Sequence, residues 1–216
     1  MKKIAVILSG SGVFDGAEIH ESVLALHAIE KEGASWHCFA PNVDQHHVIN
    51  HITGEEMSET RNVLVEAARV ARGNVQDVAQ LNVAEFDALL VPGGFGAAKN
   101  LSDFAFKGAE CQVHPDVEKA CKAFATANKP AGYLCIAPAL IPIIYGSGVK
   151  GTIGQDEATA SAFNQLGGEH INCCVDEIVY DDNHHVLSTP AYMLAETISQ
   201  AASGIDKLVH QLVKLS

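Results

Sequence analysis

Cys135 stands between two apolar stretches, Ala131 to Leu134 and Ile136 to Tyr145, the second carrying Pro138 near its start. The first reads as a buried strand and the second as a helix, because proline is tolerated in a helix's first turn. A cysteine at such a junction is held on a tight turn beside helix N-terminal amides, which favour its thiolate. The same logic places the nucleophile of hydrolases on a strand-to-helix elbow. A buried structural cysteine fits the position equally well.

Two further segments carry residue types that could serve such a thiolate. Val91-Pro92-Gly93-Gly94-Phe95-Gly96 follows an apolar run. Gly93 and Gly94 reach backbone angles closed to other residues, so their amides, with that of Ile136, could converge on an oxyanion. A lone Pro-Gly-Gly is more often an ordinary strand-ending turn, and without a following Gly-Lys-Ser/Thr it is no phosphate loop. Asp15-Gly16-Ala17-Glu18 precedes a helical pattern. Glu18 suits a helix N-terminus on dipole grounds alone; placed against the Cys135 sulfur, it could also accept and return protons. A neighbouring thiolate would raise the pKa of that carboxyl, whereas the helix start would lower it.

The elements that must position these residues alternate between strand and helix. Strands are expected at Ile4 to Leu8, Trp36 to Ala40, Phe86 to Val91 and Ala131 to Leu134, and a hairpin at Ile178 to Tyr180 and Val186 to Ser188. Helical spacing marks Glu18 to Lys31, Glu59 to Ala71, Val113 to Asn128, Ile136 to Tyr145 and Asp156 to Leu166. A long helix over Leu194 to Leu215 carries Gly204 as a point of interruption. This alternation implies an α/β fold with a mostly parallel sheet covered on both faces. Ligands of such sheets bind beyond the strand C-termini, where Cys135 and the Gly93-Gly94 turn both fall.

Bulk properties narrow the classes of function. The 216 residues, 48% hydrophobic and 19% charged, fit a globular chain read as one domain over 1–216. A net charge of −12 argues against nucleic-acid binding and against a basic membrane-surface helix. No apolar run reaches membrane-spanning length. The apolar start, Ile4 to Leu8, is too short for a signal peptide. Six cysteines without Cys-x-x-Cys spacing then point to reduced thiols in a cytoplasmic protein. Eleven histidines show no zinc-binding spacing, so no metal is expected.

Taken together, the segments resemble the class I glutamine amidotransferase-like superfamily in its PfpI branch, and within it the ElbB-type glyoxalases, also described as isoprenoid-biosynthesis proteins. The residues that carry the resemblance are Asp15-Gly16-Ala17-Glu18-Ile19-His20-Glu21, Asn50-His51-Ile52-Thr53-Gly54-Glu55, Val91 through Leu101, Cys135-Ile136-Ala137-Pro138-Ala139, Thr189-Pro190-Ala191-Tyr192-Met193 and Ala201 through Leu208. It spans essentially the whole chain, and Gly93-Gly94-Phe95-Gly96-Ala97-Ala98-Lys99-Asn100-Leu101 is its most specific part.

The resemblance implies a flavodoxin-like three-layer sandwich, a homodimer, Cys135 as nucleophile, Glu18 as its acid and amides near Gly94 and Ile136 as the oxyanion site. One departure bears on chemistry. Glutamine amidotransferases carry a late His-x-Glu pair, and PfpI relatives often place a histidine directly after the cysteine; here Ile136 follows Cys135, and His170, His184 and His185 lack a His-x-Glu arrangement. Without a positioned base, amide hydrolysis is hard. The expectation is a cofactor-independent glyoxalase: Cys135 adds to glyoxal as a hemithioacetal, Glu18 shuttles a proton between the carbons, and glycolate is released. The alternatives are a protein or nucleotide deglycase, and a redox-sensing or partner-binding protein linked to isoprenoid metabolism.

Overall fold

In Lys3–Ile7 (β1), Ile4 and Val6 face one layer while Ala5 and Ile7 face the other, and all four are fully buried. Successive strand residues point to opposite faces, so a strand apolar throughout needs cover on both sides. The computed structural model describes residues 1–216 and supplies that cover. After β1 the chain runs through α1 (Ile19–Lys31), β2 (Ser35–Ala40), α2 (Val63–Val70), β3 (Val75–Asp77), β4 (Ala88–Val91), α3 (Phe95–Lys99), α4 (Phe104–Lys107) and α5 (Pro115–Thr126). It continues through β5 (Ala131–Leu134), α6 (Ile141–Tyr145), β6 (Lys150–Gly151), α7 (Glu157–Gln165), β7 (Glu169–His170), β8 (Val179–Asp181), β9 (Val186–Thr189) and α8 (Ile198–Leu215).

Seven strands form one sheet in the order β3-β2-β1-β4-β5-β9-β8, parallel except for the β8–β9 hairpin. Leu26 and Ile29 of α1 pack with Leu208 and Leu212 of α8 over one face. Val117 and Phe124 of α5, Ile141 of α6 and Phe163 of α7 cover the other. This is the mostly parallel, doubly covered sheet expected from the alternation, in the flavodoxin-like three-layer α/β sandwich that the resemblance implied. Chain order reverses between β1 and β4, so the loops leaving these two strands part toward opposite edges and open a crevice at their C-terminal ends.

Several elements differ from expectation for physical reasons. The apolar stretch after Cys135 is a 3-10 turn over Ala137–Leu140 followed by the short α6, since Pro138 and Pro142 withhold two donors from a longer α-helix. Helix α2 begins at Val63, capped by the Asn62 side chain, which accepts the Val65 amide at 3.1 Å. Helix α8 starts at Ile198 behind a Thr197–Gln200 capping box and continues through Gly204. A Cβ at Gly204 would lie 2.5 Å from the Val175 carbonyl oxygen, so this glycine marks a close approach within a continuous helix. Strand β3 and the two-stranded β6–β7 sheet were not anticipated; both are edge pairings only two or three residues long. No helix is long and apolar enough to cross a membrane.

Candidate active site

The loops after β1, β4 and β5 meet at the crevice, bringing together the three segments singled out in the sequence. Cys135 is the residue immediately after β5, and its φ of +60° lies in the left-handed region. A non-glycine residue held there stores about 1–3 kcal/mol of strain, a feature that clusters at functional sites. Its amide donates to the Thr189 carbonyl at 3.0 Å, so the end of β9 anchors the elbow. The loop after β1 is pinned by Asn100, whose side-chain amide donates to the carbonyls of Ser9 and Asp15 at 2.9 and 2.8 Å. The Asp15 carboxylate in turn accepts the Ile49 amide at 2.8 Å.

Two glycines permit the close contacts. A Cβ on Gly93 would overlap the Cys135 Cβ and lie 2.8 Å from Glu21 Oε2. Gly94, with φ +90°, packs so tightly on the loop after β1 that a Cβ would strike the Glu18 amide. The Gly94 and Ile136 amides are directed at the Cys135 sulfur, where they favour the thiolate.

The carboxyl against that sulfur belongs to Glu21. It is fully buried in the first turn of α1 and within hydrogen-bonding reach of the Cys135 thiol. Its two oxygens accept the Gly93 amide at 2.9 Å and the Tyr192 amide at 3.1 Å, which fixes the carboxyl plane. Burial, with the neighbouring Glu18 carboxylate, pushes its pKa up to about 7. Burial and the Glu21 charge push the thiol up as well, opposed by the two amides. Two such groups in contact do not both ionise. Ionising either group opposes ionising the other, and the two amides favour a sulfur anion where one forms.

Glu18 occupies a different place from the one its spacing suggested. It is the N-cap of α1, with Oε2 accepting the Glu21 amide at 2.6 Å. It opens onto the same cavity as Cys135, a space of about 320 Å³. Gly93 also departs from expectation: its amide is taken by Glu21, so it serves the acid, while Gly94 and Ile136 keep the anion-facing role. Val13, Phe95, Ile136, Tyr192 and Met193 supply apolar walls, and Asp156 and Thr159 close the mouth from the start of α7. No histidine lines this cavity. A wider, shallower depression of about 570 Å³ beside α7 is lined by polar residues such as Gln155, Ser161 and His170 and has no cysteine among its lining residues.

Sequence reasoning missed Glu21, although the signal was present. Residues three apart share a helix face, so Glu18 and Glu21 were equally entitled to face the elbow. The contribution of Tyr192 was less visible, because it acts through its backbone amide.

The arrangement can add a sulfur anion to a carbonyl carbon, hold the resulting charge with amides, and move a proton through a fixed carboxyl beside it. No protein-family model matches the chain. It is 42% identical over 224 residues to the mitochondrial ES1 protein homolog of Rattus norvegicus, covering 99% of this chain and 84% of that protein. It is also 42% identical over 227 residues to the mitochondrial glutamine amidotransferase-like class 1 domain-containing protein 3 of Homo sapiens, covering 99% and 83%. Among solved structures, an isoprenoid biosynthesis protein with an amidotransferase-like domain from Ehrlichia chaffeensis superposes with a TM-score of 0.93 at 37% identity, covering 100% of this chain and 99% of that one. Glyoxalase III of Candida albicans shares the fold, with a TM-score of 0.63 at 12% identity over 99% and 97% of the two chains. The expectation of a cytoplasmic protein is overturned by the rat and human relatives, both named as mitochondrial.

Proposed function

Starting from a chain that belongs to the ES1 family of class 1 glutamine amidotransferase-like proteins, we propose that it converts small 1,2-dicarbonyls to 2-hydroxy acids without a cofactor, glyoxal to glycolate being the simplest case. The observation that carries this reading is the Glu21 carboxyl, fixed by two amides against a strained Cys135 whose sulfur faces a cavity.

The Cys135 thiolate adds to one aldehyde carbon. The new alkoxide, held by the Gly94 and Ile136 amides, takes the proton from Glu21 and becomes a hemithioacetal. Glu21, now a carboxylate, removes the hydrogen from that carbon and returns a proton to the neighbouring carbon, while the hydroxyl proton on the first carbon passes to the oxygen of the second. The first carbon is thereby oxidised to a thioester and the second reduced to an alcohol, with no external oxidant or reductant. Water then cleaves the thioester, releasing glycolate and the thiol. Aldehydes are electrophilic enough to react without a histidine-activated sulfur, whereas glutamine hydrolysis would call for a positioned histidine, and none lines the cavity. The shared fold of the Candida enzyme supports a scaffold able to host this chemistry and says nothing of substrate.

Steady-state production of glycolate, followed by NMR with wild type, Cys135→Ser and Glu21→Gln, tests the reading. Saturable turnover lost in both variants is expected. Absence of turnover in the wild type overturns it.

A further inference from the structure

Glu18 is 8% exposed, yet only one of its carboxylate oxygens is engaged. Oε2 accepts the Glu21 amide; the other oxygen makes no hydrogen bond within the chain and lies on the cavity that holds Cys135. That oxygen is open to the cavity, where water or a bound ligand can supply its donor. Asp156, at the mouth, has Oδ1 satisfied by the Thr159 amide and hydroxyl at 2.8 and 2.6 Å, interactions that hold its carboxyl below the usual range and keep it charged. No lysine, arginine or histidine lines the cavity to offset these charges. Lys99 lies over the Phe95 ring, with its ammonium donating to the Phe14 carbonyl at 3.0 Å, and does not line the cavity.

We infer that Glu18 is a substrate-selecting residue: its free oxygen faces the carbon next to the reacting carbonyl and accepts the hydroxyl hydrogen that forms there when that carbon is reduced. Together with Asp156 it admits neutral or cationic aldehydes and rejects α-oxo carboxylates. The inference deepens the proposed function and rests on Cys135 being the reacting group. In a neutral dicarbonyl that carbon is an aldehyde, which becomes the donor-bearing alcohol in the rearrangement. An α-oxo acid would bring a carboxylate against Glu18. The same field speeds departure of a 2-hydroxy acid product, which is an anion once formed.

The test reads the charge preference of Cys135 without requiring turnover. Rates of Cys135 alkylation by neutral iodoacetamide and anionic iodoacetate are measured by mass mapping, and their ratio is compared between wild type and Glu18→Gln. Glutamine retains an oxygen for the Glu21 amide, and any change in intrinsic thiolate reactivity divides out of the ratio. The preference for iodoacetamide should fall roughly three- to tenfold in Glu18→Gln, the size expected for one charge several ångströms away in a partly solvated site. Asp156→Asn, which preserves the cap, should lower it by less. In wild type the preference should shrink as ionic strength rises from about 10 mM to about 1 M. An unchanged ratio in Glu18→Gln overturns the inference; if that variant does not fold, a wild-type ratio insensitive to both salt and Asp156→Asn overturns it. Normal charge preference without glyoxal turnover would instead sink the dicarbonyl reading and leave the charge selection standing.

Discussion

Cys121 and Cys135 both lie in the protein interior, on opposite faces of the same sheet. Cys121 sits mid-way along α5, where burial pushes its thiol up to about 12. Cys135 is almost as buried, at 7% exposure, but it stands on a left-handed turn with two amides and a carboxyl aimed at its sulfur. Burial alone makes a thiol inert. Burial beside fixed donors and a proton partner makes one that can carry charge in a site from which water is largely excluded. The difference comes from the backbone around each residue, chiefly Gly93, Gly94 and Ile136.

The largest expected contrast is catalytic. Cys135→Ser should abolish glyoxal turnover, a loss of at least about a thousandfold, because a serine alkoxide is out of reach near neutral pH without a strong base. Cys121→Ser should leave turnover intact and lower stability by about 1–3 kcal/mol, the cost of burying a hydroxyl, offset in part by the neighbouring Tyr133 hydroxyl. Comparable turnover loss in both would erase the distinction. Glu21→Gln should reduce turnover by about 10²–10⁴-fold, the range for a general acid–base group.

The Glu21 pKa gives a second, independent reading. Its folded value of about 7 lies above the ordinary 4.5, so the folded state binds the proton more tightly. That contribution to stability is fully present below about 4.5 and is lost as pH rises through about 7, a decline of about 3 kcal/mol. Urea midpoints at several pH values should show this decline in wild type relative to Glu21→Gln. Glutamine offers one oxygen to two amides, so the variant should also be weaker by a constant amount at every pH. Parallel pH curves for the two proteins would remove Glu21 from its assigned state.

Labelling sharpens the contrast among thiols. Cys135 should be alkylated by iodoacetamide well before Cys38 and Cys121, both pushed up to about 12 by burial. Cys174, the one exposed cysteine, is the demanding control. If Cys174 reacts faster, access outweighs the amide-stabilised anion.

How much of this was legible follows the same division between side chains and backbone. The elbow was readable because a four-residue apolar strand, a cysteine and a proline-bearing stretch adjoin in sequence. The mostly parallel sheet covered on both faces was readable because Ile4 to Ile7, β4 and β5 carry no charged residue. The choice between Glu18 and Glu21 was not, since helical spacing allows both and the packing angle of α1 decides which one touches sulfur. The role of Gly93 was misassigned because sequence shows that an amide is present and not which acceptor claims it. Strands β6 and β7, two residues each, carry no periodicity to detect.

The smallest expected effect concerns His20 and probes the boundary of the site. His20 Nδ1 and the Tyr192 hydroxyl are hydrogen-bonded at 2.8 Å on the outside of α1. Tyr192 also lines the cavity, so this pair could be taken for part of the catalytic machinery. The contact that reaches the reacting groups is the Tyr192 backbone amide on Glu21. That amide is positioned by the turn after Pro190, where Ala191 adopts a φ of +43°. Removing either side-chain partner leaves the amide in place. His20→Ala and Tyr192→Phe should therefore each change glyoxal turnover by less than about threefold, with stability within roughly 1 kcal/mol of wild type, as for a partly exposed hydrogen bond. The double variant should behave like either single variant, because both remove the same interaction. A loss in His20→Ala approaching that of Glu21→Gln would mean that the tyrosine hydroxyl, rather than the turn beneath it, sets the position of the acid.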